Sequence, residues 1–340
     1  MPTPSLPSMA DVARAAGVHQ TTVSRALRND RRLPAATRDR IRRAAHQLGY
    51  RPNPLVSALV ALRRARHPSK YEATLAFVAV SELGPSGEQQ LAGARRAAEE
   101  LGYKLDLFTL HRRDLTPDRL DHVLLARGIH GIVIAPLPMA HGGFDLTWDR
   151  YCSVVIEYTF TSSPFDRVVH DSYDGMRRIM HECRKRGFSR VGLALTTVGQ
   201  ERTERLNDAA YWVEQRADAH FAPIPPLITP TWDRPVFQRW LAAHRPEVII
   251  TSNALLEEVL GWCHARRRRP GRDIRIVNVN AAPDRHVAGI VQNHAAIGVA
   301  AVQLLIAKLN RNDRGIPSIS HTILTPGQWW EGNTLAQPAD

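Results

Sequence analysis

The chain of 340 residues is 44% hydrophobic and 23% charged, a length that calls for two or three domains and a composition that excludes a disordered polymer. Its net charge of +12 is unevenly spread: residues 1–70 carry fourteen Lys and Arg against three acids, Asp11, Asp30 and Asp39. A field so focused suits a polyanion, because each neutralised phosphate releases condensed counterions, whereas a membrane-surface helix needs a broader apolar face than the narrow stripes of residues 1–50 provide.

Three short helices fit residues 8–50. Ser8 and Asp11 stand at capping-box spacing at the start of SMADVARAAG, and Gly17 closes that helix. HQTTVSRAL forms the second, with Val23 and Leu27 four apart and Gln20, Thr21, Thr22, Ser24 and Arg25 crowding the remaining surface. The third runs through AATRDRIRRAAHQLGY, where Ile41, Ala44, Ala45 and Leu48 repeat at helical spacing and Gly49 takes the left-handed end position. A helix, a tight glycine turn and a second helix make the helix-turn-helix pattern of DNA-binding proteins. In RPNPLVSALVALRRARHPSK two prolines stop the preceding helix; Leu55, Val56, Leu59 and Leu62 fit a short amphipathic helix, and RRARHPSK reads as a linker.

From Tyr71 the texture alternates between strand-like and helix-like runs: ATLAFVAV, EQQLAGARRAAEELGY, KLDLFTL, PDRLDHVLLARG, IHGIVIAPL, and again from CSVVIEY to IRIVNVN. Such alternation over about 220 residues predicts parallel sheets covered on both faces, in two similar halves, with ligands beyond the carboxyl ends of the strands. Cys152, Cys183 and Cys263 are scattered and form no C-x-x-C pair, which favours reduced buried thiols over disulfides or zinc. The N-terminus lacks the basic start and apolar run of a signal peptide, and no stretch approaches the ~20 apolar residues of a membrane span. The expected location is the cytoplasm, on the nucleoid.

Residues 11–54, DVARAAGVHQTTVSRALRNDRRLPAATRDRIRRAAHQLGYRPNP, closely resemble the DNA-binding headpiece of the LacI/GalR transcription regulators. Asp11, Val12, Ala13, Ala16, Gly17, Val18, Thr22, Val23, Ser24, Arg25 and Leu27 match the family pattern in order, as do Thr37, Arg38, Leu48, Gly49, Tyr50, Pro52 and Asn53. VVHDSYDGM, QNHAAIGVAAVQLL and GQWWEGNTL resemble, less specifically, the family's periplasmic-binding-protein-like effector domain. The resemblance implies an all-α headpiece at 1–53, a hinge helix and linker at 54–70, and an α/β effector-binding and dimerisation domain at 71–340. The last would divide into an N-subdomain (about 71–170 plus 295–318) and a C-subdomain (about 171–294 plus 319–335), each doubly wound.

The same resemblance assigns roles. Gln20 and Thr21 open the second helix where the family reads base edges, and a Gln amide pairs with adenine N6/N7. Arg25, four residues on, would grip a guanine. His19, Thr22, Asn29, Arg32 and Asn53 suit phosphate contacts, which position without specifying. His19 and Pro34 stand where the family usually has serine caps, so a weaker start is expected for the second and third helices. Leu59 takes the place of the leucine that wedges into the central minor-groove step.

For the effector, Arg205 matches an arginine that clamps ligand hydroxyls or carboxylates, and Asn293 falls where an Asp is usual. Trp232 would stack on a sugar ring, Asn253 ends the strand VIITSN, and Glu157 and Asp171 end or follow other strands; a surface ion pair, a strand-end cap or a core aromatic is the alternative for each. The arginine run at 266–269 reads as a solvated helix terminus. No nucleotide-binding, nucleophile-elbow or metalloprotease fingerprint occurs, so neither an enzyme nor a cofactor or metal is expected. The expected partners are a double-stranded, pseudo-palindromic operator, a small-molecule effector of carbohydrate type and a second copy of the chain. A ligand-independent regulator with a vestigial pocket, a DNA-processing enzyme and a solute-binding protein stay as alternatives.

Overall fold

The computed structural model describes residues 7–27, 30, 32–50, 73–110, 114–162, 164–282, 284 and 286–336. The first three helices are α1 (Met9–Ala15), α2 (Gln20–Leu27) and α3 (Ala35–Gln47). Ser8 and Asp11 form the full capping box: each side chain accepts from the other's backbone N–H. Gly17 (φ +60°) and Gly49 (φ +64°) close α1 and α3 in left-handed geometry, which lets Val18 donate to Ala13 at 3.0 Å and Tyr50 to Ala45 at 2.9 Å. Val12, Ala16, Val23, Ala26, Ile41 and Ala45 bury one face of each helix in a common small core.

The described residues from 73 onward build two six-stranded sheets. The first contains β1 (Ala73–Ala79), β2 (Tyr103–Thr109), β3 (Gly131–Ile134), β4 (Cys152–Ile156), β5 (Asp166–His170) and β11 (Thr322–Thr325), ordered β11-β5-β4-β3-β1-β2 and parallel throughout. The second contains β6 (Val191–Thr196), β7 (Leu227–Thr229), β8 (Val248–Thr251), β9 (Arg275–Asn278), β10 (Ala288–Val291) and β12 (Gln328–Trp330). Its order is β12-β10-β9-β8-β6-β7, with only the β10–β12 pair antiparallel. Strands such as β3 and β4 are buried at every residue because helices cover both faces, as continuous apolar runs require.

Helices α4 (Pro85–Glu100) and α11 (His294–Arg311) cover one face of the first sheet and α5 (Pro117–Ala126) lies on the other. Around the second sheet, α6 (Ser172–Lys185) and α8 (Leu206–Ala217) oppose α9 (Arg234–His244) and α10 (Asn253–Ala265), while the short α7 (Thr197–Glu201) follows β6. The chain crosses between the halves three times, after β5, β10 and β11. The last crossing comes later than the expected boundary at 319: β11 extends the first sheet beside β5, so residues 322–325 belong to the first half. The backbone spacing there satisfies the open edge of β5, which sequence periodicity does not reveal.

Two features fix α11 in place. Gly298 lies so close to α4 that a Cβ there would stand 1.9 Å from the Gln90 carbonyl oxygen, and one on Gly93 would stand 2.0 Å from that of Ala295. Lys308, buried on α11, donates to the buried Asp166 carboxylate of β5, which also accepts the His321 N–H at 2.8 Å. All three cysteines are free and buried, and burial pushes their thiols up to about 11 or 12.

Candidate functional site

Helix α2 divides sharply. Val23 and Ala26 are buried, while Gln20, Thr21 and Arg25 are exposed together on the outer surface. The glycine turn before α2 sets this direction, since apolar contacts at Val18 and Val23 anchor the helix from beneath. His19 departs from the weak start expected of it: its Nδ1 accepts the Thr21 N–H at 3.4 Å and lies 2.9 Å from the Thr21 hydroxyl. The imidazole nitrogen thus supplies an acceptor where a serine oxygen is usual. Pro34 behaves as expected and gives α3 no side-chain cap.

The turn after α2 is organised by Asp30, which the sequence reading left without a role. Its carboxylate accepts from Arg25 Nε at 2.9 Å and from Arg32 Nε, Nη2 and N at 2.8–3.2 Å. These bonds, Arg32 foremost, hold the Asp30 carboxyl far below the usual carboxylate range. Arg38 donates to the Leu33 carbonyl at 2.8 Å and closes the loop. The signal was a single acid within an arginine-rich turn. Asn29, Asn53 and Leu59 lie outside the described residues.

A second site opens where the two sheets face each other. A cavity of about 450 Å³ lies beyond the carboxyl ends of β1, β3 and β4 on one side and β6, β8 and β9 on the other. Of the five residues expected there, Glu157 and Asn253 line it. Arg205, Asn293 and Trp232 are not among its lining residues. Arg205 is exposed in left-handed geometry ahead of α8, and Arg202, one turn earlier, stands in the wall instead. Asn293 likewise adopts φ +46° before α11 and donates to the Pro326 carbonyl at 3.4 Å; Asn280, after β9, lines the cavity. Trp232, partly buried, packs on Phe237, its ring centroid 4.8 Å away. Asp171 caps α6 through a 3.0 Å bond from the Asp174 N–H. Residues 266–269 are exposed at the end of α10, the solvated terminus expected of them.

Arg202 spans the cleft. From the end of α7 its Nη1 donates to the carbonyls of Leu137 and Met139 in the opposite half. Burial lowers its pKa and the nearby Glu157 raises it. Glu157 holds a left-handed backbone (φ +63°), a conformation that costs a non-glycine residue of order 1 kcal/mol and concentrates at functional sites. Burial pushes its carboxyl up to about 7, against the His170 backbone N–H and Arg202, which favour the ionised form. Nearby, Asn253 accepts from Asn278 Nδ2 at 2.6 Å, and Gln292 donates to the Val279 carbonyl at 2.9 Å. His294 Nε2 lies 3.3 Å from Asn280 Oδ1, and burial lowers the His294 pKa. Neutral polar side chains share this wall with apolar ones, and no Phe, Tyr or Trp lines it among the described residues.

Residues 8–53 match the family profile described as bacterial regulatory proteins, lacI family, and residues 180–334 match the periplasmic binding protein-like domain. The HTH-type transcriptional regulator PtxS of Pseudomonas plecoglossicida is 24% identical over 312 residues, 89% of each chain. The sucrose operon repressor of Escherichia coli is 31% identical over 135 residues, 39% of each chain. Among solved structures, the lac repressor dimer bound to operator and the anti-inducer ONPF aligns with a TM-score of 0.58 at 18% identity, covering 98% of this chain and 100% of that one. The transcriptional regulator CelR–cellobiose complex aligns with a TM-score of 0.57 at 18% identity, covering 96% and 99%. These structures share the fold: a helix-turn-helix headpiece followed by two parallel α/β halves.

Proposed function

The chain belongs to the LacI family of bacterial regulatory proteins and is a DNA-binding transcription regulator; on that premise we propose a repressor that reads a pseudo-palindromic operator as a dimer and answers to a small effector in the cleft. The observation that carries the reading is the exposed row of Gln20, Thr21 and Arg25 on a helix whose opposite face is buried. A helix entering the major groove offers its first residues to base edges, so Gln20 and Thr21 read bases directly and Arg25 reaches a guanine. His19, Thr22, Asn29, Arg32 and Asn53 hold phosphates, and Leu59 wedges the central minor-groove step. The protein works in the cytoplasm on DNA and carries out no chemistry of its own.

Effector binding in the cleft changes the angle between the two halves and thereby the spacing of the hinges. Arg202, Glu157 and Asn253 contact the effector. Relatives support a ligand-regulated repressor: one is named a sucrose operon repressor, and one neighbour holds cellobiose. The test is selection of bound sequences from random duplex DNA by the full chain. A recovered palindrome with one central step is expected. Retention of unrelated duplexes at ordinary ionic strength would overturn sequence-specific reading.

A further inference from the structure

We propose that the cleft selects a polyhydroxylated carboxylate of sugar size over the corresponding neutral sugar. The proposal rests on the reading of this cavity as the effector site and names the chemistry it recognises. Three long helices begin at the cavity: α4, α10 and α11, of 16, 13 and 18 residues, place Ser86, Asn253 and His294 in its wall. None of the three receives a side-chain cap, nor do α3 and α8, whereas α1, α5, α6, α7 and α9 do. Uncapped N-terminal N–H groups and their helix dipoles favour an anion. Arg202 adds a full positive charge from the end of α7, and only its Nη1 is bonded to protein among the described residues. Nε and Nη2 keep donors for a carboxylate.

Two further observations call for hydroxyl donors. Gln90, only 1% exposed, lines the cavity, and its Oε1 has no partner. His294 also lines it; with Nε2 directed to Asn280 Oδ1, the neutral ring leaves Nδ1 as an acceptor, and that atom is unpartnered. Buried acceptors are costly unless a donor reaches them. A ligand that combines one carboxylate with several hydroxyls satisfies all four kinds of group. Among the described residues no Phe, Tyr or Trp stands in the wall to hold the apolar face of a neutral sugar ring.

The other charged groups set the pH dependence. Glu157 ends β4 in the wall, Glu82 lies on the exposed rim after β1, Arg202 faces them, and His170 and Asp171 lie at the end of the adjacent β5. An ionised Glu157 repels an anion and a protonated one donates to it. Desolvation in the wall pushes the Glu157 carboxyl up to about 7. Binding of an acid therefore takes up a proton, and affinity falls as pH rises through 7.

The experiment uses the full chain and calorimetric titration with gluconate, galactonate, glucuronate and galacturonate, each beside its neutral counterpart: glucitol, galactitol, glucose or galactose. At least one acid is expected to bind tenfold or more tightly than its counterpart, with affinity falling about tenfold between pH 6 and 8. Glu157→Gln should flatten that profile, Arg202→Gln should erase the acid preference, and Arg202→Lys should restore part of it. Failure of every acid to bind, a neutral counterpart binding equally well, or an acid preference surviving Arg202→Gln would overturn the proposal. DNA release, measured on a duplex recovered by selection, separates the two readings. A neutral sugar that binds and releases DNA sinks the ligand class alone; an acid that binds without altering DNA affinity sinks the effector role alone.

Discussion

Arg25 Nε donates to Asp30 Oδ2 at 2.9 Å, so the side chain assigned to a guanine is already anchored by the one buried acid of its own turn. The anchor orients Arg25 before DNA arrives and reduces the side-chain entropy lost on contact. Asp30→Asn is expected to cost the headpiece about 1 kcal/mol, since both arginines are substantially exposed, and to relax the guanine preference. Non-specific affinity should not fall, because one negative charge is removed. Thermal melting and a selection profile check this. Unchanged preference with unchanged melting would remove the orienting role.

Base and phosphate contacts differ in what they lose. Gln20→Ala should flatten preference at one operator position at a cost of about 1–3 kcal/mol for the correct base. Arg32→Ala should weaken all sequences alike and reduce the salt slope by about one unit. Leu59→Ala should lower DNA bending, measured by fluorescence transfer between duplex ends.

Two glycines on helices have opposite prospects. Gly298→Ala drives a methyl into the α4 backbone, so a loss of about 1–3 kcal/mol is expected. Gly261→Ala on α10 meets nothing within 4 Å and should gain about 0.5–1 kcal/mol through helix propensity. Denaturant unfolding of the two variants checks the contrast; a stable Gly298→Ala would contradict the close packing of α4 on α11.

His170, 3% exposed beneath the crossing segments, stays neutral because burial lowers its pKa to about 4. The unfolded chain takes up this proton near 6.5, so protonation favours unfolding. Stability should be full above pH 6.5 and decline toward pH 4, by about 3 kcal/mol for this group. His170→Gln should remove that part of the slope, which urea titrations at several pH values measure. An identical slope in the variant would assign the dependence elsewhere.

The headpiece was legible because its determinants are local: the Ser8–Asp11 box, the Gly17 and Gly49 turns and the Val23 face all act within a few residues. The strand–helix alternation was equally legible, since periodicity records burial. The cleft was not. Whether Arg202 or Arg205 enters it depends on a left-handed pair, Glu204 and Arg205, that turns the chain between α7 and α8. Whether Asn280 or Asn293 enters it depends on which strand end reaches the cavity. Trp232 packs on Phe237, and stacking on a neighbouring ring leaves the same sequence signature as stacking on a ligand.

The final thirty residues or so carry one more implication. β11 forms an edge of the first sheet, and only the two residues between 325 and 328 separate it from β12, which forms an edge of the second. A stop codon near position 320 would therefore strip a border strand from both lobes at once. Neither lobe can be excised, swapped or grafted as a continuous stretch of gene, and recombination within this region has to treat the pair as one inheritable unit.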